Sequence, residues 1–515
     1  MALTLTLPPL DPKPTNPPET RPAQVSAWLD AALSRNAIEA ARLISDALAA
    51  TNGIVISDSR RLELSEKYWS TASILWPRLE ALHASAPHPL SGEAMEAAKV
   101  ALDLAQELYS AYKRVLDREA NKRMLLGANR LLVALLHRCM QCTTRILINS
   151  YLAYAPIPPR TWLDAHRIYA FARERGLHHR TVAGGNPAST PERAYLQALL
   201  LSLANPYGLL PGQLDVVIEY VEEHAHWVKM TDEAPVHRMA KAVAIIPVGH
   251  DFPPFSASKG GSVEGSKIFL LAFDLAFQIQ EQVRMLEAGG DYPASAGRDR
   301  ASRRRYLMLL RRLLRQWAIP SARQFNRLPS HARVVLCTEL WGVWQYSRGR
   351  HEGIALPKSG LPPLMHCEVI NHTPAGYALR QVDPQPRSLR VGELIALRVE
   401  GRTGPQVAMV RWFRNMLRTP GLEFGCEILA DAPEAAAAAA EDAPAGKLVP
   451  AIVLPGDPGK AGSGETQPQI VVAAGVFAVD QGIALTRGNV AGFAVLTKLV
   501  EQGPGFEIYE FTAVS

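Results

Sequence analysis

The segment CEVINHTPAGYALRQV, residues 367–382, is where the fold of this chain is decided. Its flanks, CEVI and YALRQV, are short runs rich in β-branched, aromatic and aliphatic residues and read as two strands. Between them NHTPAG gathers Asn371, Thr373 and Gly376 around a proline, a composition that reverses the chain. The segment therefore predicts an antiparallel hairpin. Its joint is either only a turn or a turn that also presents polar groups to a ligand.

Working outward, ARVVLCTEL, ELIALRVEG, QVAMVRWFRN and LEFGCEIL have the same character and are bounded by Gly, Pro or Asn. With the hairpin they make six strands in about a hundred residues, which predicts a small antiparallel barrel. Beyond them APEAAAAAAEDAPAGK, residues 432–447, is low in complexity and reads as a linker or a short exposed helix. LVPAIVLP, QIVVAAGVFAV, GIALTRG, FAVLTKLV and FEIYEFTAV then predict a small C-terminal β domain.

Upstream the period changes. From Ala23 to about Thr231 apolar residues recur at three- and four-residue spacing, interrupted by PHPLSG, APIPPR and AGGNPASTP. This predicts a helical bundle or helical array. AVAIIPVG reads as a strand and KIFLLAFDLAFQIQEQVRMLEAGG as a helix closed by glycines. A basic helix follows in RDRASRRRYLMLLRRLLRQWAIPSARQFNR, residues 298–327, with Tyr306, Leu309, Leu310, Leu313 and Trp317 as its apolar stripe and Arg304, Arg311 and Arg315 on another face. The expected class is α+β multidomain. The expected division is a disordered Pro-rich tail (1–20), a mainly helical domain (21–320), a barrel (321–431), a linker (432–447) and a small β domain (448–515).

The 515 residues are 48% hydrophobic and 20% charged, an ordinary globular composition. No uninterrupted apolar run reaches the roughly 18 residues of a membrane span, and the Pro-rich start lacks the pattern of a signal peptide, so a cytoplasmic location is expected. A formal charge of +6 is modest for this length and makes bulk nucleic-acid binding an unfavoured reading; its carrier would be the basic helix 304–315. Five cysteines make no disulfide framework, and Cys139 and Cys142 sit in an apolar helical run as core residues. HExxH, GxxxxGK[ST] and GxSxG are absent, and the SxxK at Ser256–Lys259 lacks partner motifs, so no enzyme and no cofactor is expected. His178-His179 and His224-Ala-His226 have no acidic or thiolate companion at ligand spacing and read as structural or solvated, with no metal expected. Trp341, Trp344 and Tyr346 read as core.

The motifs around the hairpin resemble those of PilZ domains, six-stranded barrels that bind cyclic di-GMP through RxxxR ahead of the barrel and [DN]xSxxG between two strands. Asn371-His-Thr373-Pro-Ala-Gly376 is similar to the second motif, with Thr for Ser, and Arg323-Gln-Phe-Asn-Arg327 to the first. Arg333 is an alternative second arginine because it abuts the strand ARVVL, whereas Arg327 precedes that strand by six residues. With TRPAQVSAWLD at the start and FEIYEF at the end, the chain as a whole resembles the long PilZ receptors of the FimW type in Pseudomonas-like and Burkholderia-like bacteria. The resemblance implies a cyclic di-GMP receptor tied to type IV pili and surface attachment, with protein partners docking on the helical domain. It also implies that Arg323, Arg327, Asn371, Thr373, Gly376 and alternatively Arg333 hold the ligand. A ligand-blind scaffold on a pilus or motility complex is the alternative.

Overall fold

The computed structural model describes residues 3–514 other than 123–127, 183–188, 236–241, 260–263, 319–325, 348–353, 355–359, 361–362, 384–386, 416–421, 441–447, 456–466 and 489. The chain divides into two compact units. One holds most of residues 1–323, the other residues 324–515 with two short upstream pieces, 87–89 and 207–210.

Among the described residues the first unit begins with eight α-helices: α1 (Pro22–Ala32), α2 (Ala37–Asn52), α3 (Asp58–His83), α4 (Gly92–Asn121), α5 (Ala128–Leu152), α6 (Thr161–Glu174), α7 (Pro191–Leu203) and α8 (Gln213–His224). Their starts follow capping chemistry: Asn36 accepts the Glu39 N–H, Ser57 that of Arg60 and Thr190 that of Arg193. Helix α5 is long and apolar enough to cross a membrane by length and composition alone. It lies instead in the core against α4, α6 and α7, with Cys139, Met140, Cys142 and Leu147 buried. Burial pushes both thiols up, the state of inert core cysteines.

A four-stranded antiparallel sheet follows: β1 (Lys229–Thr231), β2 (Val243–Pro247), β3 (Phe255–Ser256) and β4 (Lys267–Leu271), in the order β1-β4-β2-β3. KIFLL is thus a strand, not the start of a helix; its apolar run suits both states, and pairing with β1 and β2 decides it. Then come α9 (Phe273–Glu287) and α10 (Arg300–Trp317). Helix α10 buries Tyr306, Leu309, Leu310, Leu313 and Trp317, the stripe read from the sequence, and Arg311 pairs with Glu287.

The N-terminal segment is not a disordered tail. Leu3 is buried, and Asp164 accepts both the backbone N–H (3.2 Å) and the hydroxyl (3.2 Å) of Thr6. Lys113 Nζ donates to the Thr6 carbonyl (2.8 Å), Asn121 to that of Leu3 (3.2 Å) and Arg167 to that of Thr4 (3.1 Å). The strap needs no secondary structure because side chains of α4 and α6 satisfy its backbone. Their contribution is invisible in a local composition.

The second unit contains two barrels. The first is built from β5 (Leu328–Pro329), β6 (Arg333–Thr338), a short helix α11 (Leu340–Tyr346), β7 (Met365–Thr373), β8 (Gly376–Gln381), β9 (Leu394–Val399), β10 (Gln406–Asn415) and β11 (Leu422–Ala430). Antiparallel pairing runs β7-β6-β9-β10-β11-β8 and closes through β7–β8, a six-stranded ring with β5 added along β7. The second barrel closes as β12-β13-β14-β17-β16-β15, from β12 (Glu434–Ala440), β13 (Val449–Leu454), β14 (Gln469–Ala473), β15 (Gly482–Arg487), β16 (Val490–Gly503) and β17 (Phe506–Val514). The alanine run is therefore not a linker or exposed helix in its described part. It is a strand paired on both sides, with Ala436, Ala437 and Ala438 buried. A run of one residue type shows no alternation, and tertiary pairing overrides alanine's helix preference. The barrels share core residues, among them Trp344, Met409, Ile452 and Phe506, and the Trp344 indole donates to the Ala436 carbonyl at 2.7 Å.

A cavity of about 450 Å³ between the barrels is lined by Trp341, Phe506, Glu339 and Glu393 among others. Burial and then the Glu339 charge push Glu393 up to about 7, against the lowering effect of the Arg390 N–H on its carboxylate. The unfolded chain releases that proton near the ordinary value of 4.5, so between these values the folded state binds more protons and stability falls as pH rises. Glu393→Gln removes this slope: at pH 8 the variant should be more stable than wild type by about 1–3 kcal/mol, with the gap closing near pH 4. Parallel urea curves for the two proteins across that range would refute the assignment.

Candidate ligand site on the first barrel

The motif NHTPAG does not form a six-residue loop. Strand β7 runs through Asn371, His372 and Thr373, β8 starts at Gly376, and only Pro374 and Ala375 turn the chain. The pairs are Thr373↔Gly376, His372↔Tyr377 and Asn371↔Ala378, with a bulge between Val369 and Asn371. A bulge re-aims the residues beside it. The Thr373 hydroxyl accepts the Ala375 N–H (3.2 Å) and lies 3.5 Å from the Gly376 carbonyl, so it caps the turn. Gly376 has no left-handed backbone. A Cβ there would stand 2.1 Å from the Cys426 carbonyl oxygen, so glycine is required by close approach to β11.

The arginines separate clearly. Arg327 directly precedes β5, whose residues pair Leu328↔His372 and Pro329↔Asn371. Continuing that register by one residue sets Arg327 beside Thr373, at the hairpin end, where it is exposed. Its separation from ARVVL is therefore no obstacle, because a two-residue strand intervenes. Arg333 pairs with Glu368, three residues from Asn371 along β7, and its backbone N–H donates to the Glu400 carboxylate (3.1 Å). Arg323 lies outside the described residues.

Barrel register adds a residue that the sequence reading missed. Trp412 pairs with Gly425, Gly425 with Ala378, Ala378 with Asn371 and Asn371 with Pro329, a single row across five strands. A Cβ on Gly425 would meet the Trp412 indole nitrogen at 1.9 Å, so the ring lies across the glycine. The signal was the Trp-to-Gly spacing in RWFRNMLRTPGLEFG, which carries meaning only once the strands are in register. Beside it, Arg411 donates to Glu427 (2.7 Å) and to Glu501 of the second barrel (2.9 Å), and these carboxylates push its guanidinium up despite burial.

Elsewhere Trp344 is a core residue, as read. His224 Nδ1 donates to the Tyr220 carbonyl (3.0 Å) and His226 Nδ1 to that of Glu223 (2.9 Å). His178 and His179 do have an acidic companion, contrary to the sequence reading: Glu192 reaches both.

Two family models match the chain. The N-terminal domain of cyclic-di-GMP receptor FimW matches residues 23–235, and the middle PilZ domain of the same receptor matches residues 347–436. The second span contains Asn371, Thr373, Gly376 and Trp412 and begins beyond Arg327. The cyclic-di-GMP receptor FimW of Pseudomonas aeruginosa is 23% identical over 489 residues, covering 81% of this chain and 78% of that protein.

Proposed function

We propose that this chain, which carries the N-terminal and PilZ domains of the FimW type, is a cyclic di-GMP receptor whose ligand seats at the hairpin end of the first barrel. The observation that carries the reading is the register of β5 on β7, which sets Arg327 next to Thr373 and in line with Asn371. Cyclic di-GMP offers two phosphates and two guanines. An arginine fork pairs with phosphate oxygens or with guanine O6 and N7. The Asn371 amide meets a guanine polar edge without adding charge beside an anion. Trp412, in the same row, offers a face on which a purine stacks. Arg323 is assigned as the first arginine from spacing alone, and Arg333, on β6 opposite Glu368, ranks behind Arg327.

The reading makes the protein a non-enzymatic cytoplasmic receptor that couples second-messenger level to surface attachment through type IV pili, with protein partners on the helical unit. Ligand would act by favouring one arrangement of the chain over another. The ligand-blind scaffold has one observation in its favour: the Thr373 hydroxyl and Gly376 already have structural work in turn and barrel closure. Titration calorimetry of the full chain separates the two. A saturable heat with cyclic di-GMP and none with GTP or cyclic di-AMP supports the receptor; no heat with any of the three leaves the scaffold.

A further inference from the structure

His178 and His179 follow α6, and Glu192 lies in the first turn of α7. Folding brings the three together: one ligand atom of each lies within 4.8 Å of the other two. His178 Nε2 is 3.9 Å and His179 Nδ1 3.5 Å from the Glu192 carboxylate oxygens. Ligands about 2.0–2.1 Å from a tetrahedral zinc stand roughly 3.3 Å from one another, so the histidine–carboxylate distances of 3.9 and 3.5 Å shorten by less than about one ångström each, and the widest separation, within 4.8 Å, by up to about 1.5 Å, to complete the set. Imidazole and carboxylate donors together suit zinc and its late first-row neighbours rather than calcium or magnesium.

The surroundings hold these donors in place. Tyr169 donates its hydroxyl to Glu192 Oε2 at 2.6 Å, the orienting contact that a ligating carboxylate requires. Tyr169 is itself fixed by stacking on Tyr195, with ring centroids 4.3 Å apart. The Glu192 backbone N–H donates to the His178 carbonyl at 3.1 Å, tying the histidine pair to the helix start, and the Thr190 cap sets that start. His178 and Glu192 are mostly buried while His179 is 71% exposed, which leaves an open side for ion entry and a water ligand.

We infer that His178, His179 and Glu192 form a binding site for a divalent transition-metal ion of the zinc class, which clips the α6–α7 connection of the helical unit. The clip closes a segment in which the Val182 N–H already donates to the Ser189 carbonyl (2.9 Å). Val182 and Ser189 also line a cavity of about 460 Å³ with Tyr112, His137 and Arg138, so the ion stiffens one wall of that cavity.

The test is competition between tag-free, metal-stripped full chain and a chromophoric chelator for Zn²⁺. Wild type should take up one equivalent and melt at a higher temperature when loaded. His179→Ala, at an exposed position, and Glu192→Gln, which keeps an acceptor for Tyr169, should each weaken uptake by about 10–100-fold. A variant lacking both His224 and His226 should bind as wild type does. Co²⁺ should give the visible absorption of a four-coordinate ion in wild type and not in Glu192→Gln. No stoichiometric uptake by wild type, or uptake unchanged in both His179→Ala and Glu192→Gln, overturns the inference.

Discussion

Arg327→Ala is expected to lower the affinity for cyclic di-GMP by roughly 10–100-fold, the loss of a charge-assisted bond of about 1.5–3 kcal/mol. The expectation comes from register: Pro329 opposite Asn371 puts Arg327 beside Thr373, whose hydroxyl caps the hairpin turn. Arg333→Ala is the internal control. It pairs with Glu368, away from the hairpin end, and its change should stay within about threefold, as for an ordinary surface substitution. Calorimetric titrations of both variants decide the matter. If Arg333→Ala abolishes binding while Arg327→Ala does not, the ligand sits along β6 and the register argument is wrong.

Asp164→Ala is expected to have the largest effect on stability, about 3–5 kcal/mol. Asp164 is fully buried and Lys113 is 8% exposed, with Nζ and Oδ2 2.6 Å apart. Removing the carboxylate strands an ammonium in the core, where among the described residues the Thr6 carbonyl and the Tyr109 ring (4.4 Å) remain beside it. It also removes the acceptor for the Thr6 backbone N–H, so the N-terminal strap should come loose. Two readouts follow: a lower urea midpoint for loss of helical signal, and faster proteolysis within residues 3–13. Lys113→Met combined with Asp164→Leu should recover part of the loss, since a buried pair replaced by apolar groups leaves no orphaned charge. A single variant as stable and as protease-resistant as wild type would show that the pair holds nothing together.

How much of this was legible follows from what each signal depends on. The CEVI and YALRQV strands and the stripe of α10 depend on local period, and both appear where the sequence places them. Strand β12 does not: six alanines carry no inside and outside, and only neighbours β13 and β15 on either side make them a strand. The N-terminal strap escaped for a related reason. The alternation LTLTL was present, but the composition around it is Pro-rich, and the groups that hold it belong to Lys113, Asn121 and Asp164. At the candidate site, motif spacing singled out Asn371, Thr373, Gly376 and Arg327, and the register brings these four to one end of the hairpin. It left Arg327 and Arg333 as alternatives, because a strand as short as β5 has no propensity signature. Trp412 and Glu192 are contacts made across register and across helices, and a single sequence without its fold does not bring them to their partners.

The central claim places cyclic di-GMP at the hairpin end of the first barrel, and amide hydrogen exchange of the full chain with and without saturating ligand tests it most directly. The account predicts slowed exchange in residues 326–332 and 369–378 and in the part of β10 around Trp412, with little change in α2 to α5. Slowed exchange confined to the helical unit, or none at the hairpin despite measured binding, would contradict it.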